Sequence, residues 1–347
     1  MVQVKNEGII LQATNLPFEN EAVLNPTCIE ANGITHMFYR AVRKGDFVSS
    51  IGYCQIDEGG KIINRLDHPL LIPEYDFEKE GMEDPRVVFL DGIYYFFYTG
   101  YDGKNALIAY ATSKDLVHFE KHGIISAQFT YDEAEDLFRQ SKALEKYQFF
   151  ESVLKDRVGK DVFLWEKDAF IFPKKFNGKF ALVHRVLPGI QVAYFNSFSE
   201  LNDSYWRKYF MELDKYILLD PKYEIESRNI GGGAVPIETE DGWLLIYHAV
   251  EDSKYGKIYH ASAALLNSDD PTQVVGRLRA PLFSPKEEWE KKGKVNNVVF
   301  PTGCIVRDNQ LFIYYGAGDK LIAAKSVDLK SLLSELKNDA VLNQVSI

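Results

Sequence analysis

The sequence predicts an all-β fold, a five-bladed β-propeller carrying a helical insertion, and three observations predict it. Asn-Gly and Asp-Gly pairs, which favour tight turns with positive φ, recur at Asn32-Gly33, Asp91-Gly92, Asn177-Gly178 and Asp241-Gly242, with a weaker Asp308-Asn309. Each is preceded by a short β-rich run and followed by one dense in aromatic and branched residues: ITHMFYRA, IYYFFYTG, KFALVHRV, WLLIYHAV and LFIYYGAG. The repeat spans the chain and leaves no polar linker between halves, so residues 1–347 are expected to form a single domain rather than a sandwich and a second unit.

Taken in order, most of the hairpins are followed by a further strand-like run: FVSSIGYCQI, ALIAYATS, IQVAYFNS and YHASAALL. Each unit can therefore supply the several antiparallel strands of a blade. One long insertion, about 126–161, contains YDEAEDLFRQSKALEKYQFFESVLKD, where apolar residues recur at helical spacing among charges. It is expected to form one or two helices packed outside or over the propeller. The tail SVDLKSLLSELKND has a Ser or Asp cap ahead of an apolar-periodic run, which predicts a short helix at about 327–338 that closes or covers a blade.

Composition narrows the partners. The chain is 46% hydrophobic and 14% aromatic, which suits a strand-rich core. A net charge of -10 argues against nucleic acid or an anionic membrane as partner, because both reward a basic surface. Cys28, Cys54 and Cys304 are odd in number and far apart, which suggests buried free thiols rather than disulfides or zinc ligands. No stretch reads as a signal peptide or a membrane span, so a cytoplasmic location is expected, or a periplasmic one if an export signal preceded this sequence. No metal site and no cofactor are expected, and oligomeric state is left open.

The polar residues fall at matching places in the repeat. The strand before each turn opens on Asn25, Asp84, Asp168 or the Gly231–Gly233 run, and the strand after it ends on Arg40, Thr99, Arg185 or His248. In a hairpin these two places lie side by side, opposite the turn. Arranged about an axis, Asn25, Arg40, Asp84, Arg86, Lys167, Asp168, Arg185 and His248 would line a polar pocket. Mixed carboxylates and cations with aromatic residues nearby suit a sugar, whose hydroxyls take paired hydrogen bonds and whose ring faces stack. No phosphate-loop, HExxH, EF-hand or GxSxG pattern competes with this reading.

The motifs GMEDPRV, KDAFIFPKKFNGKFALVHR, IGGGAVPIETEDGWLLIYHAV, ALLNSDDPTQVVGR, NNVVFPTG and IYYGAGD, in that order, resemble glycoside hydrolase family 130, the mannoside phosphorylases and related β-mannosidases. The resemblance covers nearly the whole chain. It implies a five-bladed propeller and a manno-oligosaccharide substrate. It also implies that Asp84 is the general acid, protonating the glycosidic oxygen through a mannose hydroxyl, and adds Asp319 to the substrate-binding set.

Two positions depart from the phosphorylase pattern: Leu107 stands in NALIAYATS where an Arg is usual, and Asn229 in NIGGG where a Lys is usual. Each missing charge-assisted contact is worth about 1.5–3 kcal/mol to a phosphate, so water is expected as the nucleophile. An inverting hydrolase then needs a base carboxylate roughly 6.5–9.5 Å from the acid, and Glu226 in YEIESRNIGGG is the expected base, with Glu224 and Glu251 in reserve. The expected function is hydrolysis of β-mannosides, β-1,2-linked by what the resemblance implies. The alternatives are an inverting phosphorylase that takes inorganic phosphate as co-substrate on Arg40, Lys167, Arg185, Arg228 and His248, and a non-catalytic sugar-binding protein.

Overall fold

The structure, a computed structural model, describes residues 2–141, 145–159 and 161–344. Residues 142–144 and 160 of the expected insertion, and residues 1 and 345–347 of the expected single domain, lie outside them. The chain is all-β, with few helices, and its strands form five antiparallel sets in sequence order. The first runs Ala22–Ala31, Ile34–Val42, Ser49–Ile56, Ile62–Arg65, and the second Gly81–Leu90, Ile93–Tyr101, Ala106–Ser113, Phe119–Ile124. A single parallel pair, Ser49 with Gly81, joins these two into one sheet. The third runs Lys167–Ile171, Phe180–Arg185, Ile190–Phe195, Ile217–Leu219. In the fourth, Asn229–Gly232 and Ile237–Thr239 both pair with Gly242–Ser253, followed by Gly256–Leu266 and Val274–Arg277. The fifth, Val299–Arg307, Gln310–Ala317 and Leu321–Asp328, takes its outer strand, Val4–Leu11, from the other end of the chain.

The turn pairs act as expected at four hairpins. Asn32-Gly33, Asp91-Gly92 and Asn177-Gly178 take φ of 53° and 74°, 52° and 79°, 49° and 78°, and Asp308-Asn309 takes 46° and 63°. Consecutive positive φ values match the right-handed twist of the strands they join. The fourth hairpin turns differently: Thr239 Oγ1 donates to the Gly242 carbonyl and accepts from the Asp241 N–H.

Strand residues feed the cores on both sides of each sheet. Met37 and Tyr39 pack with Ile305, Tyr314 and Ile322 of the fifth set, whereas Phe38 packs with Val87, Phe96 and Tyr98 of the second. Side chains alternate faces along a strand, so strands buried on both faces read as continuous apolar runs. The first strands follow one another in space: Ala22–Ala31 touches Gly81–Leu90, which touches Lys167–Ile171, which touches Asn229–Gly232, and Val299–Arg307 touches Ala22–Ala31.

The insertion contains helices Tyr131–Phe138 and Glu145–Val158. The first is fixed by a capping box between Thr130 and Glu133, and it buries Tyr131, Ala134, Leu137 and Phe138 in the core shared by the second, third and fourth sets. The C-terminal helix, Leu329–Gln344, is longer than expected. Its Leu332, Leu333 and Leu336 cover the fourth and fifth sets, and Gly276 lets the Leu336 carbonyl come close.

Candidate active site

Three first strands break register at the same point, between Leu24 and Thr27, Glu83 and Arg86, and Lys167 and Phe170. Within each break sits a residue in the left-handed region: Asn25 at φ 49°, Asp84 at 50°, Asp168 at 59°. Asn and Asp tolerate that conformation better than other side chains, and a bulge re-aims a side chain out of the pleat. The repeat thus sets three polar groups at one end of three neighbouring strands.

The site has two connected halves. In the first, Asn25 Nδ2 donates to Asp84 Oδ1 at 2.7 Å, and Arg40 NH1 lies 3.9 Å from the same oxygen. Glu83, which sequence reasoning left out, bridges two cations: Arg40 NH2 at 2.6 Å and Lys167 Nζ at 3.1 Å. Burial works to raise the Glu83 carboxyl, and Arg40 and Lys167 outweigh it, holding it below its ordinary value. Burial likewise opposes the charge on Arg40 and on Lys167, but Glu83 and Asp84 hold both above their ordinary values.

In the second half, Arg185 NH1 lies 3.0 Å from Asp168 Oδ2 and 3.5 Å from His248 Nε2. A guanidinium cannot accept, so His248 Nε2 is the acceptor and its proton sits on Nδ1. Burial, with Arg185 and Arg86 adding to it, pushes the His248 imidazolium well below its ordinary range, so the ring is neutral. Phe300 packs against it, tilted by 37°, at 4.5 Å between centroids. Arg185 Nε is buried with no hydrogen-bond partner among the described residues, and the Gly232 backbone contributes a hydrogen bond to the His248 imidazole. Two glycines make the space: a Cβ on Gly231 would come within 2.3 Å of the His248 ring and 2.5 Å of Asp168 Oδ2, and one on Gly316 would sit 2.1 Å from Asn25 Oδ1.

Asp319, in the left-handed region at φ 51°, completes the set. Burial raises its carboxyl to about 6, with Asp84 and Glu83 adding to the rise and Arg40 and Lys167 opposing it. Tyr259, also missed in the sequence, is raised by burial and feels both Arg185 and Asp319.

Two expected site residues lie elsewhere. Arg86 has no exposed surface; it donates to the carbonyls of Gly233, Gly232, Asp84 and Pro85 at 2.5, 3.3, 3.0 and 3.0 Å. It ties the second set to the fourth, and four of its five N–H donors are spent on these backbone carbonyls. Glu226, the expected base, is also fully buried. Its Oε1 accepts from Tyr247 Oη at 2.8 Å and Arg277 NH2 at 2.7 Å, and its Oε2 from the N–H groups of Lys222 and Tyr223 at 2.7 and 3.0 Å. With both oxygens engaged it has none to offer a water molecule. Of the reserves, Glu224 is exposed, and Glu251 accepts from His260 Nε2 at 3.0 Å. Leu107 and Asn229 are 3% and 6% exposed.

Asp84 keeps one oxygen outside these contacts and is flanked by Arg40 and the Asn25 donor, with the Asp319 carboxyl nearby. It suits proton transfer to a sugar oxygen beside an anion. The family model described as β-1,4-mannooligosaccharide phosphorylase, glycoside hydrolase family 130, matches residues 4–338. A 1,2-β-oligomannan phosphorylase of Thermoanaerobacter sp. (strain X514) is 32% identical over 339 residues, covering 95% of this chain and 98% of the relative. A β-1,2-mannobiose phosphorylase of the same organism is 32% identical over 344 residues, covering 94% and 97%. Among solved structures, the β-1,2-mannobiose phosphorylase of Listeria innocua in complex with β-1,2-mannobiose superposes with a TM-score of 0.72 at 21% identity, over 96% of this chain and 99% of that one. A family 130 structure described with glycoside hydrolases that target β-1,2 mannosidic linkages in Candida mannan gives the same TM-score at 22% identity, over 94% and 93%. The structural likeness shows the fold and does not separate the two reactions.

Proposed function

The chain belongs to glycoside hydrolase family 130, and from that premise we propose that it is an inverting phosphorylase of β-1,2-linked manno-oligosaccharides that releases mannose 1-phosphate. Residues 1–347 act as one domain, a five-bladed propeller. The order of contact among the first strands and the N-terminal strand completing the last sheet support that reading.

In this mechanism Asp84 is the acid. Asn25 donates to Oδ1 and leaves Oδ2 to carry the proton, which passes to the glycosidic oxygen through a mannose hydroxyl as the bond breaks. Asp319 and Arg40 hold the sugar hydroxyls. Phosphate attacks the anomeric carbon, and Arg185, whose Nε has no partner among the described residues, stabilises its charge together with His248 and Lys167. Charge-assisted contacts of this kind contribute about 1.5–3 kcal/mol each.

The observation that carries the choice of phosphate over water is the engagement of Glu226 with Arg277, Tyr247 and two backbone N–H groups, which takes the expected hydrolytic base out of the site. The full-length relatives named as phosphorylases support it independently. Hydrolysis stays as the second reading because Leu107 and Asn229 occupy places where the phosphorylase pattern has cations. The test is consumption of β-1,2-mannobiose across a series of phosphate concentrations. Saturable dependence on phosphate, with a raised KM for phosphate in Arg185→Gln, is expected. A rate independent of phosphate would return the reading to hydrolysis.

A further inference from the structure

Five buried glutamates repeat through the fold, and one of the five is built differently. Glu19, Glu78, Glu166, Glu226 and Glu290 have no exposed surface, and each precedes the first strand of its set. Four of them accept from a tyrosine hydroxyl: Tyr39 at 2.8 Å, Tyr98 at 2.5 Å, Tyr247 at 2.8 Å and Tyr315 at 2.5 Å. The same four each pair with a cation: Arg65 at 2.9 Å, Lys121 at 2.7 Å, Arg277 at 2.7 Å and Lys325 at 2.6 Å. Each tyrosine directly precedes the residue at the site end of its strand, Arg40, Thr99, His248 or Gly316. The glutamate therefore anchors the strand one residue from the site.

The third set keeps the glutamate and replaces both partners with one residue. Glu166 Oε2 lies 2.6 Å from His184 Nδ1, and its Oε1 accepts from the Ala127 N–H at 2.9 Å. Among the described residues no lysine or arginine pairs with Glu166. His184 Nε2 lies 2.8 Å from Tyr209 Oη, and that hydroxyl reaches the Val192 carbonyl at 3.3 Å. A tyrosine has one proton to give. If it goes to Val192, Tyr209 accepts from Nε2–H while Nδ1–H donates to Glu166.

Charge argues for that arrangement. A carboxylate with no exposed surface and no cation is costly, and the other four glutamates each have one. Trp206 packs edge-on to the His184 ring at 5.4 Å, and the titratable groups around the ring are Glu166, Tyr209 and, beyond Tyr209, Tyr205, Tyr147 and Tyr216. We propose that Glu166, His184 and Tyr209 form a buried positioning relay for the active site, in which His184 carries a proton on each nitrogen as the counter-ion of Glu166. The relay fixes the next residues along both strands, Lys167 and Asp168 after Glu166, and Arg185 after His184. Its effect on turnover rests on the phosphorolytic reading; its protonation does not.

Proton–nitrogen correlated NMR on the full chain with labelled histidine tests the protonation. Two exchange-protected imidazole N–H signals that are both absent from His184→Gln, and of which one is lost in Glu166→Gln, are expected near neutral pH; loss of a single signal in His184→Gln overturns the proposal. Positioning is read from activity. Tyr209→Phe removes the acceptor of Nε2–H, so the alkaline limb of kcat should move to lower pH by about one unit, the equivalent of one hydrogen bond, with KM for the mannoside little changed. A pH profile that superposes on the parent's, with only a lower melting temperature, would make the contact merely structural and overturn the relay. Two N–H signals in a protein that does not phosphorolyse mannosides would sustain the protonated pair and reject the activity reading alone.

Discussion

Replacing Glu226 by alanine separates a structural anchor from a catalytic base. The substitution removes the acceptor for Arg277 NH2, Tyr247 Oη and the N–H groups of Lys222 and Tyr223, all in a region where Glu226 has no exposed surface. Arg277 keeps the Asp220 carbonyl at 2.7 Å and the Tyr247 hydroxyl at 3.0 Å, but it loses its counter-charge. Breaking a buried pair from one side costs about 3–5 kcal/mol, which at an m-value of about 3 kcal/mol/M lowers the urea midpoint by roughly 1–1.7 M. The assay is urea unfolding followed by tryptophan fluorescence, run beside turnover per folded molecule. An anchor predicts the lowered midpoint, with turnover within about tenfold of the parent since no acid–base group is lost. An unchanged midpoint with turnover reduced by about 10²-fold or more would refute the reasoning and restore Glu226 as base.

Asp84→Asn should reduce turnover by about 10²–10⁴-fold, the usual worth of a positioned acid, with an unchanged melting temperature; equal activity would remove Asp84 from the mechanism. Gly316→Ala places a Cβ 2.1 Å from Asn25 Oδ1 and so displaces the donor to Asp84. Since a misplacement of about 1 Å can cost ~10²-fold, kcat should fall by up to that amount, as steady-state kinetics would show. Asp319 is raised to about 6 in the folded protein, so its ionisation works against the fold as pH rises through that value and is without effect where both states are protonated. Asp319→Asn should therefore unfold at higher urea than the parent near neutral pH, by at most about 3 kcal/mol, and the difference should vanish below about pH 4. A difference constant across pH would refute the assignment.

The alternation and turn chemistry that build the five strand sets are local, and so they are legible in the sequence: Asn32-Gly33, Asp91-Gly92 and Asn177-Gly178 turn as their residues dictate. The gathering of Asn25, Arg40, Asp84, Lys167, Asp168, Arg185 and His248 follows from hairpin geometry alone. The fates of Arg86 and Glu226 were not legible, because each is decided by contacts between sheets. Arg86 is held by carbonyls about 146 positions away in the chain, and Glu226 by Arg277, 51 positions on. A signal for the second was present: a glutamate recurs ahead of the first strand of every set, and an aromatic or histidine precedes each site residue. Read as a repeat, that pattern marks Glu226 as one of five anchors. Glu83 was missed because its role depends on Lys167 arriving from the next sheet.

The central claim is that phosphate, not water, takes the mannosyl group. Cleavage of β-1,2-mannobiose in oxygen-18 water with inorganic phosphate present, followed by mass spectrometry of the products, tests it most directly. The account predicts mannose 1-phosphate without label from solvent; labelled free mannose at the anomeric position, formed at the same rate with phosphate left out, would contradict it.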